Sequence, residues 1–219
     1  MQVKSLSRFL RNLTLLTLLL TAFSASAVTK QSDPEFVEII ATQQMIGKLQ
    51  KGGYVLYMRH GNTDNSRPDR TPKVDLNDCN TQRILNQKGI LVTTEVGNNV
   101  RQANIPVGEV FASPMCRAKN SAQYAFGRFT LDKNLMYTGN MTSAEKKPVI
   151  ANTRRLVSTP VTPENTNRIL VAHAPNMMDL MGYFPVEATL VIFKPKGNNQ
   201  FEYIGSIRPQ DWNRLLKVD

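Results

Sequence analysis

In Tyr54-Val55-Leu56-Tyr57-Met58-Arg59-His60-Gly61-Asn62-Thr63, the residues Tyr54 to Met58 are a nearly continuous apolar run that stops on an arginine and a histidine. Five apolar residues without alternation predict a strand buried on both faces, as in a parallel sheet covered by helices. The same pattern returns at Arg168-Ile169-Leu170-Val171-Ala172, followed by His173-Ala174-Pro175. A shorter run, Glu109 to Ala112, leads into Ser113-Pro114-Met115-Cys116-Arg117-Ala118. Helical patterns separate these strands. They cover Leu85 to Ala103, a helix opened by Ser113-Pro114 and reaching Phe126, a weaker helix at Glu145 to Val157, and a short one at Pro175 to Met181. An earlier helix is expected to start at Ser32-Asp33-Pro34-Glu35, to present Phe36, Val37, Ile40, Ile46 and Leu49, and to stop at Gly52-Gly53. Ala188 to Lys194 and Phe201 to Ile207 read as a strand pair joined at Gly197-Asn198-Asn199. Strands alternating with helices predict an α/β fold, a three-layer α/β/α sandwich with a mostly parallel central sheet.

The chain has two histidines, and each directly follows a predicted buried strand. In open α/β sheets ligands bind beyond the carboxyl ends of the strands, so His60 and His173 stand where a site is expected. Arg117 projects from the first turn of a helix, whose free N–H groups and dipole favour an anion. A lone histidine after a strand is more often a hydrogen-bonded structural residue, and a lone arginine at a helix start usually faces solvent. Here two histidines and two arginines converge on three strand ends, and that conjunction points to a phosphoryl-sized anion. No C-x-x-C pair or His/Cys cluster is present, so a structural zinc site is not expected; no P-loop is present either, and no cofactor is expected.

Of 219 residues, 41% are hydrophobic and 20% charged, with a mean hydropathy of −0.30, which excludes a disordered chain and a multi-span membrane protein. Met1 to Ala27 carries Lys4, Arg8 and Arg11 without an acid, then the apolar stretch Leu13 to Phe23 and the small residues Ser24-Ala25-Ser26-Ala27. This reads as a cleavable secretory signal cut after Ala27, and the apolar stretch is short for a bilayer span. Residues 28–219 then form the mature domain, secreted or periplasmic and without a stable membrane span. Loss of three basic residues lowers the formal charge of +10 to +7. Such a chain favours anionic partners, whether phosphates, acidic glycolipid or membrane headgroups, or nucleic acid, and charge alone does not choose between them. With the two histidines and two arginines, a phosphorylated small molecule or a glycolipid headgroup is expected, and no nucleic acid. Export also permits a disulfide. A Cys79–Cys116 bridge would tie the loop after the first strand to the residue beside Arg117, although spacing alone does not show that they pair.

The combined motifs resemble the histidine phosphatase superfamily, with its phosphoglycerate-mutase-like fold. Arg59-His60-Gly61-Asn62-Thr63 is similar to the family's R-H-G-x-T signature. Ser113-Pro114-Met115-Cys116-Arg117-Ala118 is similar to its S-P-x-x-R-A segment, which Ser121-Ala122 continues, and His173 matches the second family histidine. The likeness runs from Tyr54 to Lys194. It implies a metal-independent phosphatase with His60 as nucleophile, Arg59 and Arg117 as phosphate ligands, His173 as a cationic stabiliser of the transferring group, and Asn62 and Thr63 as neutral donors at the rim.

The chain departs from the family at the general acid. Leu131 to Tyr137 contains no Glu, and His173 is followed by Ala174 rather than Asp. Glu187 is the preferred substitute, and Asp64 the next. Export plus this small fold is similar to periplasmic phosphatases acting on heptose phosphates of the lipopolysaccharide core. A general exported phosphomonoesterase is the plainer expectation. A non-catalytic phosphate- or headgroup-binding module that kept the pocket is the main alternative. A basic envelope protein with incidental histidines is the third.

Overall fold

A computed structural model of the chain describes residues 35–70 and 74–217. The signal-peptide reading and the capping residues Ser32 to Pro34 lie outside the described residues.

Six strands form one sheet: β1 (Val55–Arg59), β2 (Val107–Ala112), β3 (Thr130–Leu131), β4 (Asn167–Ala172), β5 (Leu190–Gly197) and β6 (Gln200–Ile207). Their order is β3-β2-β4-β1-β5-β6. The first four are mutually parallel, β5 pairs antiparallel with β1, and β6 pairs antiparallel with β5. The described residues also form six α-helices: α1 (Gln43–Leu49), α2 (Gln87–Gln102), α3 (Cys116–Phe126), α4 (Ser143–Ser158), α5 (Ala174–Met181) and α6 (Trp212–Leu215).

Alternate residues of the central strands feed two cores. Leu56, Met58, Ile169 and Val171 pack with Val96 and Val100 of α2 and with Ala118 and Ala122 of α3. Val55, Tyr57, Leu170 and Ala172 pack on the other face with Leu156 of α4 and with Met177 and Leu180 of α5. Both faces are therefore covered, which is why β1 and β4 read as unbroken apolar runs. The helix that follows β1 and the helix that follows β4 lie on opposite faces of the sheet. The paired carboxyl ends of these two strands thus form the crevice at which open α/β sheets take ligands.

One expected element is displaced. Residues 35–39 are not helical, and α1 starts only after the Thr42 cap, whose side chain accepts a hydrogen bond from Met45 N. The preceding segment is captured by the free edge of β6: Ile40 bridges Ser206, and Ser206 N donates to Ile39 O at 2.7 Å. Phe36 stacks on Tyr183 with ring centroids 4.4 Å apart, instead of joining a helix face. Here tertiary pairing overrides the capping and periodicity signals. The helix opened by Ser113-Pro114 begins at Cys116, three residues later than the motif suggests, and β3 is an added short edge strand. Among the described residues, no helix is long and apolar enough to cross a membrane.

Candidate active site

The polypeptide leaves β1 at Arg59 and turns through His60-Gly61 against the start of α2. A Cβ on Gly61 would lie 2.6 Å from Gly89 O, and one on Gly89 would lie 2.0 Å from Asn62 O, so this close crossing needs glycine on both sides. Ser121 Oγ joins the turn to α3 by donating to Arg117 O at 2.7 Å and accepting from Gly61 N at 3.0 Å. On the other side, Ala188 N donates to Arg59 O and His60 O at 3.1 and 3.2 Å, which sets Glu187 beside Arg59.

His60 and His173, both buried, face each other with ring centroids 5.3 Å apart. His60 Nδ1 lies 2.8 Å from Gly61 O. A carbonyl only accepts, so Nδ1 carries the proton and the lone pair of the neutral ring is at Nε2. His173 is set by Tyr57, whose hydroxyl donates to His173 O at 2.8 Å and accepts from His173 N at 2.9 Å. His173 Nε2 lies 2.9 Å from Ser113 Oγ, which itself accepts from Met115 N. With the hydroxyl proton directed to Nε2, the His173 N–H is at Nδ1.

Arg117 is fully buried, its guanidinium over the Tyr137 ring at 5.0 Å. The same ring stands nearly perpendicular to that of His173, with centroids 5.5 Å apart. Asp69 takes only one nitrogen of Arg117, with NH1 donating to Oδ1 and Oδ2 at 3.1 and 3.2 Å. Arg59 lies over Phe184 at 5.2 Å, donates through NH1 to Pro185 O at 2.7 Å, and pairs through NH2 with Glu187 at 2.5 Å. Four buried nitrogens at this crevice have no hydrogen-bond partner in the protein: Arg59 Nε, Arg117 Nε and NH2, and His173 Nδ1. Buried polar groups are nearly always paired, so four orphans together describe a cradle for an anion.

Burial is the largest influence on both histidines and holds each well below its usual range. The guanidinium of Arg117 adds to this in both, and His173 also feels His60. Both rings are therefore neutral at neutral pH, as a nucleophilic imidazole requires. The unfolded chain takes up protons near pH 6.5 while the folded pocket does not, so stability falls as pH drops below that value. The expected loss is about 1.4 kcal/mol per pH unit for each histidine until the folded groups titrate. Urea unfolding between pH 7.5 and 5 measures it, and an inorganic phosphate dianion at the site should reduce the slope by favouring protonated His173.

The sequence-derived residues Arg59, His60, Arg117, His173 and Glu187 come together here. Asn62 and Thr63 lie on the turn beside them. Thr63 Oγ1 is directed to Asn65 Oδ1 at 3.5 Å, and Asn65 Oδ1 also accepts from Arg83 at 3.1 Å. Asp64 does not join the cluster. Its carboxylate accepts from the N–H and hydroxyl of Ser66, and those bonds hold it below the usual carboxylate range. Asp69 and Arg83 were not expected at the site. Arg83 N donates to Asp69 Oδ1 at 2.7 Å, and the positive charge of Arg83 reaches both histidines and both arginines. These two residues come from the polar loop after β1. The loop is fastened by the Cys79–Cys116 disulfide, with Cα atoms 5.8 Å apart, and by Gln82 Oε1, which accepts from Cys116 N at 2.8 Å.

Among the described residues, no group of three or more His, Cys, Asp or Glu side chains is placed to hold a metal ion. A cavity of about 510 Å³ lined by Lys51, Glu164 and Lys194 among others holds none of the histidines or arginines of this crevice.

The architecture overlaps that of the protein histidine phosphatase SixA complexed with tungstate. The TM-score is 0.53 at 14% sequence identity, over 72% of this chain and 98% of that one. The fold is that of the histidine phosphatases. Two further structures with this fold overlap less closely. An ecdysone phosphate phosphatase from Bombix mori in complex with tungstate has a TM-score of 0.49 at 12% identity, over 72% of this chain and 93% of that one. A mycobacterial glucosyl-3-phosphoglycerate phosphatase complexed with VO3 has a TM-score of 0.48 at 16% identity, over 70% and 98%. No protein-family model and no curated protein sequence matches the chain. In the histidine phosphatase fold as this chain builds it, the two histidines and Arg59 and Arg117 share the carboxyl edge of β1, β2 and β4.

Proposed function

We propose that this protein is an exported, metal-independent phosphomonoesterase that works through a phosphohistidine at His60. The observation that carries the reading is a neutral imidazole of fixed tautomer, its lone pair at Nε2, beside four unpartnered nitrogens of Arg59, Arg117 and His173. His60 Nε2 attacks phosphorus in line, the P–N bond forms and the P–O bond to the leaving group breaks. Arg117 offers its Nε/NH2 edge as a fork for two phosphoryl oxygens, and Arg59 Nε adds a third donor. His173, neutral in the described pocket, gains its proton when the dianion is beside it and then stabilises charge on the transferring group. Water next attacks phosphorus, the P–N bond breaks, and its electron pair returns to His60 as inorganic phosphate leaves. An alkoxide leaving group needs a proton, and two carboxyl groups touch the pocket arginines, Glu187 on Arg59 and Asp69 on Arg117.

The favoured substrate class is a small or envelope-linked phosphate ester, with lipopolysaccharide sugar phosphates foremost. The signal-like leader and the excess of basic residues support this. The mature protein is expected to release p-nitrophenolate from p-nitrophenyl phosphate at an unchanged rate in EDTA. A folded protein that binds phosphate without turnover would instead favour a binding module, and loss of turnover in EDTA would contradict metal independence.

A further inference from the structure

We propose that Asp69, through Oδ2, is the proton donor to the leaving oxygen, an assignment that rests on the phosphatase reading above. Arg117 is the best-furnished anion ligand of the site, being fully buried with both Nε and NH2 unpartnered. Asp69 holds the remaining nitrogen, NH1, on the same planar guanidinium. A phosphoryl group on the Nε/NH2 edge therefore sits alongside the Asp69 carboxyl. Two anions on one cation repel, and a proton between them relieves that repulsion.

The two carboxyl oxygens are not equivalent. Oδ1 accepts from Arg83 N at 2.7 Å and from Arg117 NH1 at 3.1 Å, whereas Oδ2 accepts only from NH1, at 3.2 Å. Oδ2 is the oxygen with room for a proton. Glu187 is the weaker candidate: its side chain is 32% exposed against 13% for Asp69, and its partner Arg59 has only Nε left for substrate. Asp64 is engaged by Ser66.

As the P–O bond breaks, its electron pair goes to the leaving oxygen, which takes the proton from Oδ2 and departs as an alcohol. In the second half, the attacking water gives a proton to Oδ2, and the P–N electron pair returns to His60 Nε2. Asp69 ends as it began, and one water is consumed per ester.

The test pairs Asp69→Asn with Glu187→Gln on two substrates, glycerol 3-phosphate with its poor leaving group and p-nitrophenyl phosphate with its good one. Asn keeps an Oδ1 to accept from Arg83 and Arg117, so the pocket is retained; inhibition by inorganic vanadate checks this. Asp69→Asn should lower kcat/KM for glycerol 3-phosphate by about 100-fold or more, and that for p-nitrophenyl phosphate by no more than about threefold, with vanadate inhibition unchanged. Asp69→Ser gives the same comparison if the Asn variant does not fold. Equal losses on both substrates would make Asp69 a positioning partner of Arg117 and overturn the assignment. No loss on either, or a leaving-group-dependent loss in Glu187→Gln alone, would also overturn it. If wild type hydrolyses neither substrate above His60→Ala, the phosphatase reading fails first and this assignment with it.

Discussion

His60→Ala is expected to reduce turnover of p-nitrophenyl phosphate by at least about 10³-fold while leaving a folded protein that still binds inorganic phosphate. The size follows from the absence of a replacement. Both cysteines are tied in a disulfide, and His173 is engaged through Nε2 by Ser113. Its remaining ring nitrogen, in the tautomer argued above, carries a proton rather than a lone pair. The arginine donors remain after the substitution, so binding and chemistry separate cleanly. Steady-state rates with phosphate as competitive inhibitor check both halves. A His60→Ala enzyme with most of its activity would mean that the nucleophile lies elsewhere.

Removing the disulfide is expected to have the second largest effect. Cys79 and Cys116 are 37 residues apart, and closing a loop of that length restricts the unfolded chain by about 4 kcal/mol on the loop-entropy relation. The Cys79→Ala/Cys116→Ala protein should therefore lose about 3–4 kcal/mol of stability in urea unfolding at pH 7.5. Activity should fall as well, because the bridged loop delivers Asp69, Gln82 and Arg83 to the helix start that bears Arg117. A loss below about 1 kcal/mol with unchanged activity would show that Gln82 and the Asp69–Arg117 pair hold the loop without the bridge.

The centre of the fold was legible because β1 and β4 are buried on both faces and so carry unbroken apolar runs, each with its histidine at the carboxyl end. Ser121 was legible as a motif residue, and the structure gives its physical role, a hydroxyl bridging Gly61 N and Arg117 O. The beginning of the described segment is not legible in the sequence because residues 39–41 pair with the edge of β6, more than 160 residues away, and no local signal encodes that contact. Asp69 is hidden in the sequence for the same reason. It lies 48 residues from Arg117 in a loop without hydrophobic periodicity, whose path depends on the disulfide and on Gln82. Asp64, nearer the histidine in sequence, is turned back on Ser66 by a local hydrogen-bonding preference of aspartate. Asp64 is nearer His60 in sequence, whereas loop closure brings Asp69 to the arginine.

A phosphohistidine at His60 is tested most directly by rapid acid-free quench of the protein during turnover of p-nitrophenyl phosphate, followed by peptide mass spectrometry. A phosphoryl group on the imidazole of His60, acid-labile and missing from His60→Ala, is the expected result. Turnover with no phosphoryl group on His60, or with one on another residue, would contradict the account.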